Sequence, residues 1–184
     1  VVLAVLERRC VLLQHGARLL AVDPVRLRAH MVELRLRASL SGTAGATDAP
    51  AQLLLSPVVV HVAATDVELV VARAAELRRL GLWAEPFGAA AIAVRAVPAA
   101  VEHCAEPGEV RALLERVLPW LRLRADATAL VRAIASADGP DPTARLVRRW
   151  IGELAHAGAL ERGDPPGVRS WGASELLAGH EGER

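Results

Sequence analysis

Pro57 runs directly into Val58-Val59-Val60-His61-Val62. So dense a β-branched run is comfortable only as a largely buried strand. The proline in front of it has no N–H to give to a sheet ladder, so Gln52-Leu53-Leu54-Leu55-Ser56-Pro57 belongs at a sheet edge or just ahead of a strand. Upstream, residues 41–50 are Ser, Gly, Thr, Ala, Asp and Pro only and read as a linker. Gln52–Pro57 thus sits where the chain leaves one packed unit and enters another. Its three leucines have two physical uses. They open the core strand, the commoner fate of apolar runs, or they present an extended apolar edge that docks into the groove of another protein.

The elements around this point follow from their punctuation. Val1–Leu6 reads as a strand. Cys10–Gln14 and Arg18–Val22 read as a hairpin turning at His15-Gly16-Ala17. Asp23-Pro24 opens a helix, Asp as N-cap and Pro at the first helical position. Leu27, Met31 and Leu34 form its apolar face, with Arg26, His30, Glu33 and Arg37 opposite. The strand Leu53–Ala63 leads to Thr65-Asp66-Val67-Glu68, a capping box for a helix that runs to Leu80 and stops at Gly81. Leu82–Phe87, a Gly88 turn and Ala91–Val97 are two further strands. Helices follow from Pro107 towards Trp120 and from Asp126 to Ser136, then Asp138–Pro142 breaks the run. A helix over Thr143–Ala157 carries Leu146, Trp150 and Leu154 at helical spacing. Asp164-Pro165-Pro166-Gly167 is a turn, Val168–Trp171 a short strand and Ser174–Ala178 a closing helix.

This order predicts an α/β chain of the α+β type. Neither the first nor the last third holds enough elements for a core of its own. They are therefore expected to pack together, 1–48 with 136–184, around an inserted α+β unit, 49–135. At 184 residues and 53% apolar content the chain can bury such cores and is not disordered. No apolar run reaches the roughly 18 residues that cross a bilayer, and Val1–Leu6 is too short for a signal-peptide core. The missing initiator Met points to a piece of a longer protein. The net charge of +1 gives no bulk electrostatic case for nucleic acid or membrane. Seven Arg against three acids up to Thr47 make the first helix locally basic. Such a face either touches DNA phosphates or is simply solvated.

Signals for chemistry are sparse. Cys10 and Cys104 are far apart, as in a reduced, cytoplasmic protein. Histidines 15, 30, 61, 103, 156 and 180 never fall at metal-ligand spacing with Cys, Asp or Glu, and there is no P-loop, GxSxG or dinucleotide turn. No catalytic residue, metal ligand or cofactor site is assigned.

Gln52-Leu-Leu-Leu-Ser-Pro57, Leu80-Gly81-Leu82 through Phe87-Gly88, Ala93-Val94-Arg95-Ala96-Val97-Pro98 and the Trp- and Arg-bearing helix before Asp164–Gly167 carry a resemblance. In this order they resemble the C-terminal dimerisation domain of the mismatch-repair protein MutL. The resemblance implies a dimerisation subdomain split by an outer subdomain, and a homodimer. It implies that Gln52, Leu54, Leu55 and Pro57 contact the replication sliding clamp, weakened by Ser56 where a bulkier apolar residue is common. It further implies the mismatch-recognition protein MutS, an incision endonuclease and a helicase as partners, with DNA contacted weakly or indirectly and no membrane. ATP and Mg would be bound only in an N-terminal half outside this sequence, and the place of action would be the bacterial cytoplasm, at the nucleoid during repair.

Nicking relatives carry Asp-Gln-His-Ala-x-x-Glu-x-x-x-x-Glu at the strand-to-helix junction. Here only Asp23 matches: Val25 stands for the His, Ala29 and Leu34 for the acids, and 164–171 hold neither Cys nor His. The resemblance is thus to the nuclease-free branch. The expectation is a non-enzymatic homodimerising and partner-docking module, with Leu146, Trp150 and Leu154 as candidate dimer interface or, equally, core. The alternatives are a degenerate metal-dependent nicking site at Asp23, His30 and Glu33, and a regulatory small-molecule domain whose ligand no polar cluster defines.

Overall fold

The computed structural model describes residues 1–7, 9–41, 48–102, 104, 106–136, 141–172 and 174–175. Its elements, in chain order, are β1 (Val2–Leu6), β2 (Cys10–His15), β3 (Arg18–Val22), α1 (Pro24–Ser41), β4 (Ala51–His61), α2 (Ala64–Ala72), α3 (Ala74–Arg79), β5 (Trp83–Pro86), β6 (Ala91–Pro98), α4 (Pro107–Arg122), α5 (Ala127–Ala135), α6 (Ala144–His156) and β7 (Val168–Gly172). Both sheets are antiparallel, so the fold is of the α+β type. The chain divides into two compact units, Val1–His30 with Asp141–Arg184, and Met31–Pro140.

The first unit is a four-stranded sheet in the order β1-β2-β3-β7. The hairpin β2–β3 turns at Gly16, with His15 opposite Arg18. Val22 pairs with Val168, so the last strand closes onto the third. Along β2 and β3 alternate residues are buried (Val11, Leu13, Leu20 and Val22), and α6 packs against β1 and β2. Asp23 starts α1 as the punctuation predicts: the amides of Val25 and Arg26 both donate to its Oδ1 at 3.0 Å. Gly167 holds a positive φ of 82°, and a Cβ there would lie 2.6 Å from the backbone nitrogen of Leu27. Only glycine lets β7 enter beside the start of α1.

The expected apolar face of α1 is corrected at one residue. Leu27 and Met31 are buried, but Leu34 is 40% exposed, and Val32 and Leu36 are buried instead. The buried arc rotates along the helix because its later turns serve the core of the second unit, which includes Val32 and Leu36. The charged face is largely paired. Arg37 lies 2.6 Å from Glu33 and Arg26 3.7 Å from Asp23, while Arg35, off that face, donates to Glu102 at 2.6 Å. The expected 41–50 linker mostly lies outside the described residues, as do His103, His180 and most of the expected closing helix.

The second unit centres on β6, buried at every position except Arg95, between β4 and β5. Two expectations fail here. Helix α2 begins at Ala64 with Ala63 as N-cap and no side-chain cap, so Thr65 does not head a capping box. The run to Leu80 is two helices, α2 and α3, broken at Arg73. The reasons are tertiary. Asp66, one residue past Thr65, turns its carboxylate to Arg122 of α4 in a two-pronged pair of 2.7 and 2.6 Å. Arg73 reaches Ala125 O at 2.6 Å and Glu76 at 2.7 Å. A true N-terminal box forms on α4, where the amide of Glu106 donates to Glu109 at 3.2 Å.

The Asp66 side chain is only 3% exposed. The hydrogen bond from Arg122 holds its pKa below the usual 3.8, against burial, which raises it. A depressed folded pKa stabilises the fold above the unfolded value and loses that contribution as pH falls through the folded one. Asp66→Asn is therefore expected to cost about 2 kcal/mol at neutral pH. In urea titrations the gap between variant and wild type should close as pH drops below 3.8.

Candidate functional site

Two surfaces stand out, one in each unit. On β4, Gln52 and Leu53 pair with Val97 and Ala96 of β6, and the ladder resumes only at Val58 opposite Val94. Leu54 to Pro57 therefore bulge from the sheet opposite the single residue Arg95. Pro57, with no N–H, fits a position the ladder skips. Sequence reasoning put this segment at an edge or just before the strand; it is within the strand, as an edge bulge. Leu54 turns inward and leans on the core, while Leu53 is 66% and Leu55 109% exposed. Ser56 and Pro57 are also exposed. The bulge and the start of α4 (Glu106, Pro107, Gly108 and Arg111) border a concavity of about 880 Å³.

The second surface is the outer face of the β1-β2-β3-β7 sheet. An antiparallel sheet with one face on a core normally alternates apolar-in and polar-out. Here the residues between the buried ones are apolar as well. Leu6 opposes Cys10, Ala4 opposes Leu12, Leu12 opposes Ala21, and Leu19 opposes Trp171. Leu6 is half exposed and the other six are half-buried. The polar residues on this face, Gln14 and Arg169, are placed beside Leu19 and Ala21. The sequence held the signal in the unbroken apolar runs of β2 and β3, but not which face helices would cover.

A family model described as the MutL C terminal dimerisation domain matches residues 3–137. The chain belongs to this MutL family. Curated relatives agree. Over 71 residues, 39% of this chain, it is 45% identical to the DNA mismatch repair protein MutL of Sinorhizobium medicae. Over 102 residues, 55% of the chain, it is 36% identical to that of Rhodopseudomonas palustris, and over 92 residues, 50% of the chain, 41% identical to that of Acidiphilium cryptum. The matched stretches make up only 12%, 16% and 15% of those proteins.

Against the MutL pattern, the remaining sequence-derived residues fall as follows. Trp150 and Leu154 of α6 are 1% and 3% exposed within the single chain, beside Val147 and Ile151, and Leu146 is half-buried. Two of the three candidate interface residues are thus core. Trp150 Nε1 is buried without a hydrogen-bond partner. Of the nicking alternative, Asp23 is occupied as the cap of α1 and Glu33 lies between Arg37 and Arg132. Among the described residues no three His, Cys, Asp or Glu side chains converge as a metal site would require. Cys10 and Cys104 are free thiols. Burial, helped by the charge of Glu109, pushes Cys104 up to about 11, so it stays a protonated core residue. No helix among the described residues is long and apolar enough to cross a membrane.

Two substitutions on the bulge separate its inward and outward leucines. Leu54→Ala is expected to lower stability by about 1–2 kcal/mol, as a partly buried truncation does. Leu55→Ala should stay within about 0.5 kcal/mol of wild type. Chemical denaturation of the two variants reads this difference directly.

Proposed function

We propose that this chain serves DNA mismatch repair as the homodimerising and partner-docking module of a longer MutL-type ATPase, contributing assembly rather than catalysis. The observation that carries the reading is the doubly apolar sheet of the first unit. One face is occupied by helices, and the other sets Leu6, Leu12, Leu19 and Trp171 in a continuous patch. A second copy meeting this patch about a two-fold axis would bury it against itself, since an isologous contact joins like surface to like. The family's description as a dimerisation domain supports the same occupant. This moves the dimer surface from the buried face of α6 to the open face of the sheet.

The bulge on β4 serves a different partner in this reading. Leu55 stands fully in solvent although nothing in the fold requires a leucine there. Gln52, Leu54, Leu55 and Pro57 match the clamp-contact pattern that the family resemblance implies, and a protruding apolar segment is suited to docking into a partner's groove. The ATP-binding half, MutS, the incision endonuclease and the helicase belong to the same proposal as properties of the whole assembly.

Light scattering across a wide concentration range tests the first part. The expected mass is twice 19.5 kDa. Leu12→Glu with Leu19→Glu should raise the dimer dissociation constant by at least about 100-fold, because charge is placed at the centre of the patch. Far-UV circular dichroism establishes that the variant folds. A wild-type monomer at high micromolar concentration, or a folded double variant that dimerises like wild type, would remove the assignment.

For the bulge, Gln52→Ala with Leu55→Ala is expected to weaken sliding-clamp binding about tenfold or more while the dimer mass stays unchanged. Equal clamp affinity of wild type and variant would eliminate that contact.

A further inference from the structure

Helix α6 buries Val147, Trp150, Ile151 and Leu154. At 3.6 residues per turn, the middle of its opposite face is Arg145, Gly152 and His156, with Arg148 and Arg149 on either side. All five are exposed. Glu153 lies at the margin, 3.6 Å from Arg149. Among the described residues, neither Arg145 nor Arg148 has a carboxylate at ion-pair distance. Arg35, Arg73, Arg95 and Arg122, by comparison, are held by acids.

Gly152 is a second, independent feature. Glycine is a poor residue for a helix interior, and a Cβ at this position would meet nothing within 4 Å. The packing of the chain itself therefore does not call for glycine. Its φ is not positive either, so backbone geometry does not demand it. What a glycine does offer on an exposed helix face is a low point where another backbone approaches closely.

We propose that this face of α6 contacts the phosphate backbone of duplex DNA, with Arg145 and Arg148 binding phosphates and Gly152 at the point of closest approach. From Arg145 to His156 the track is eleven residues, about 16 Å at 1.5 Å per residue. That span matches about five successive phosphates of one strand at roughly 3.4 Å along the duplex axis. Guanidinium groups suit phosphate oxygens because their donors form a planar fork. The face carries no apolar anchor that a protein core contact would need. A second copy is a poor occupant, since a two-fold contact would set arginine against arginine. With a formal net charge of +1, the chain attracts nucleic acid through local placement of charge, not in bulk. The choice of DNA over an acidic protein rests on reading the chain as part of a mismatch-repair protein.

The test is fluorescence anisotropy of a labelled duplex of about 30 bp, titrated with the 184-residue chain over roughly 50 to 200 mM salt. Wild type should bind with a linear dependence of log affinity on log salt. Arg145→Ala with Arg148→Ala should reduce the slope by about 2, roughly 1 per lost phosphate contact, and weaken binding at least tenfold at the lowest salt. Gly152→Glu should abolish binding, and Gly152→Ala, which adds a Cβ at the closest approach, should weaken it, with thermal melts confirming that each variant folds. No binding by wild type, or an unchanged slope in the double-arginine variant, overturns the proposal. Tighter binding to a polyglutamate peptide than to the duplex also overturns it, in favour of an acidic protein partner. Light scattering on the same samples keeps the two readings apart. A dimer that ignores DNA defeats only the α6 assignment, and a monomer that binds DNA defeats only the dimer.

Discussion

Strand β6 is the constraint to which the second unit answers. Buried along nearly its whole length and paired on both sides, it offers its neighbours one register each. Strand β4 must match it from Ala51 to His61 although Pro57 cannot take a place in the ladder. The register slips, the chain between Leu53 and Val58 is pushed off the sheet, and the side chains divide. Leu54 is drawn into the core and Leu55 is left in solvent. A single missing donor thus produces both an edge that resists further sheet pairing and an apolar element free to meet a partner.

The first unit follows the opposite logic. Its sheet has no interrupted strand in β2 or β3, and its pairing extends from the first strands to Val168–Gly172 near the other end of the sequence. One face packs against helix side chains. The other carries residues just as apolar, which a solitary chain would not need. The two units therefore present different kinds of surface: a mostly apolar sheet face suited to self-association, and a protruding segment suited to a groove. Helix α6 contributes a third kind, charged and without apolar anchors, on the side away from its core.

Much of the secondary structure was legible because its signals are local. Asp23-Pro24, Gly16, Gly81, Gly88, Asp126, Thr143 and Gly158 act through the backbone within a few residues, and the elements begin or end where these residues stand. The failures share a different cause. Thr65 and Glu68 have the spacing of a capping box, but the neighbouring Asp66 is committed to Arg122, 56 residues away. The helix break at Arg73 accompanies a hydrogen bond to Ala125, 52 residues on. Leu34 keeps perfect periodicity with Leu27 and Met31, yet α1 changes the core it serves midway. In each case a long-range contact outweighed a local preference of about a kilocalorie per mole.

The same division holds for function. The run that carries the family resemblance, Gln52 to Pro57, is contiguous and could be read from the chain alone. Exposure was decided only in three dimensions. Whether Leu54 or Leu55 faces solvent depends on where β4 loses register with β6. Whether Trp150 is interface or core depends on α6 lying against β1 and β2. That Leu12, Leu19 and Trp171 share one uncovered face depends on β7 pairing with β3. Side-chain alternation tells which residues travel together along a strand, but the face that helices cover is settled by packing.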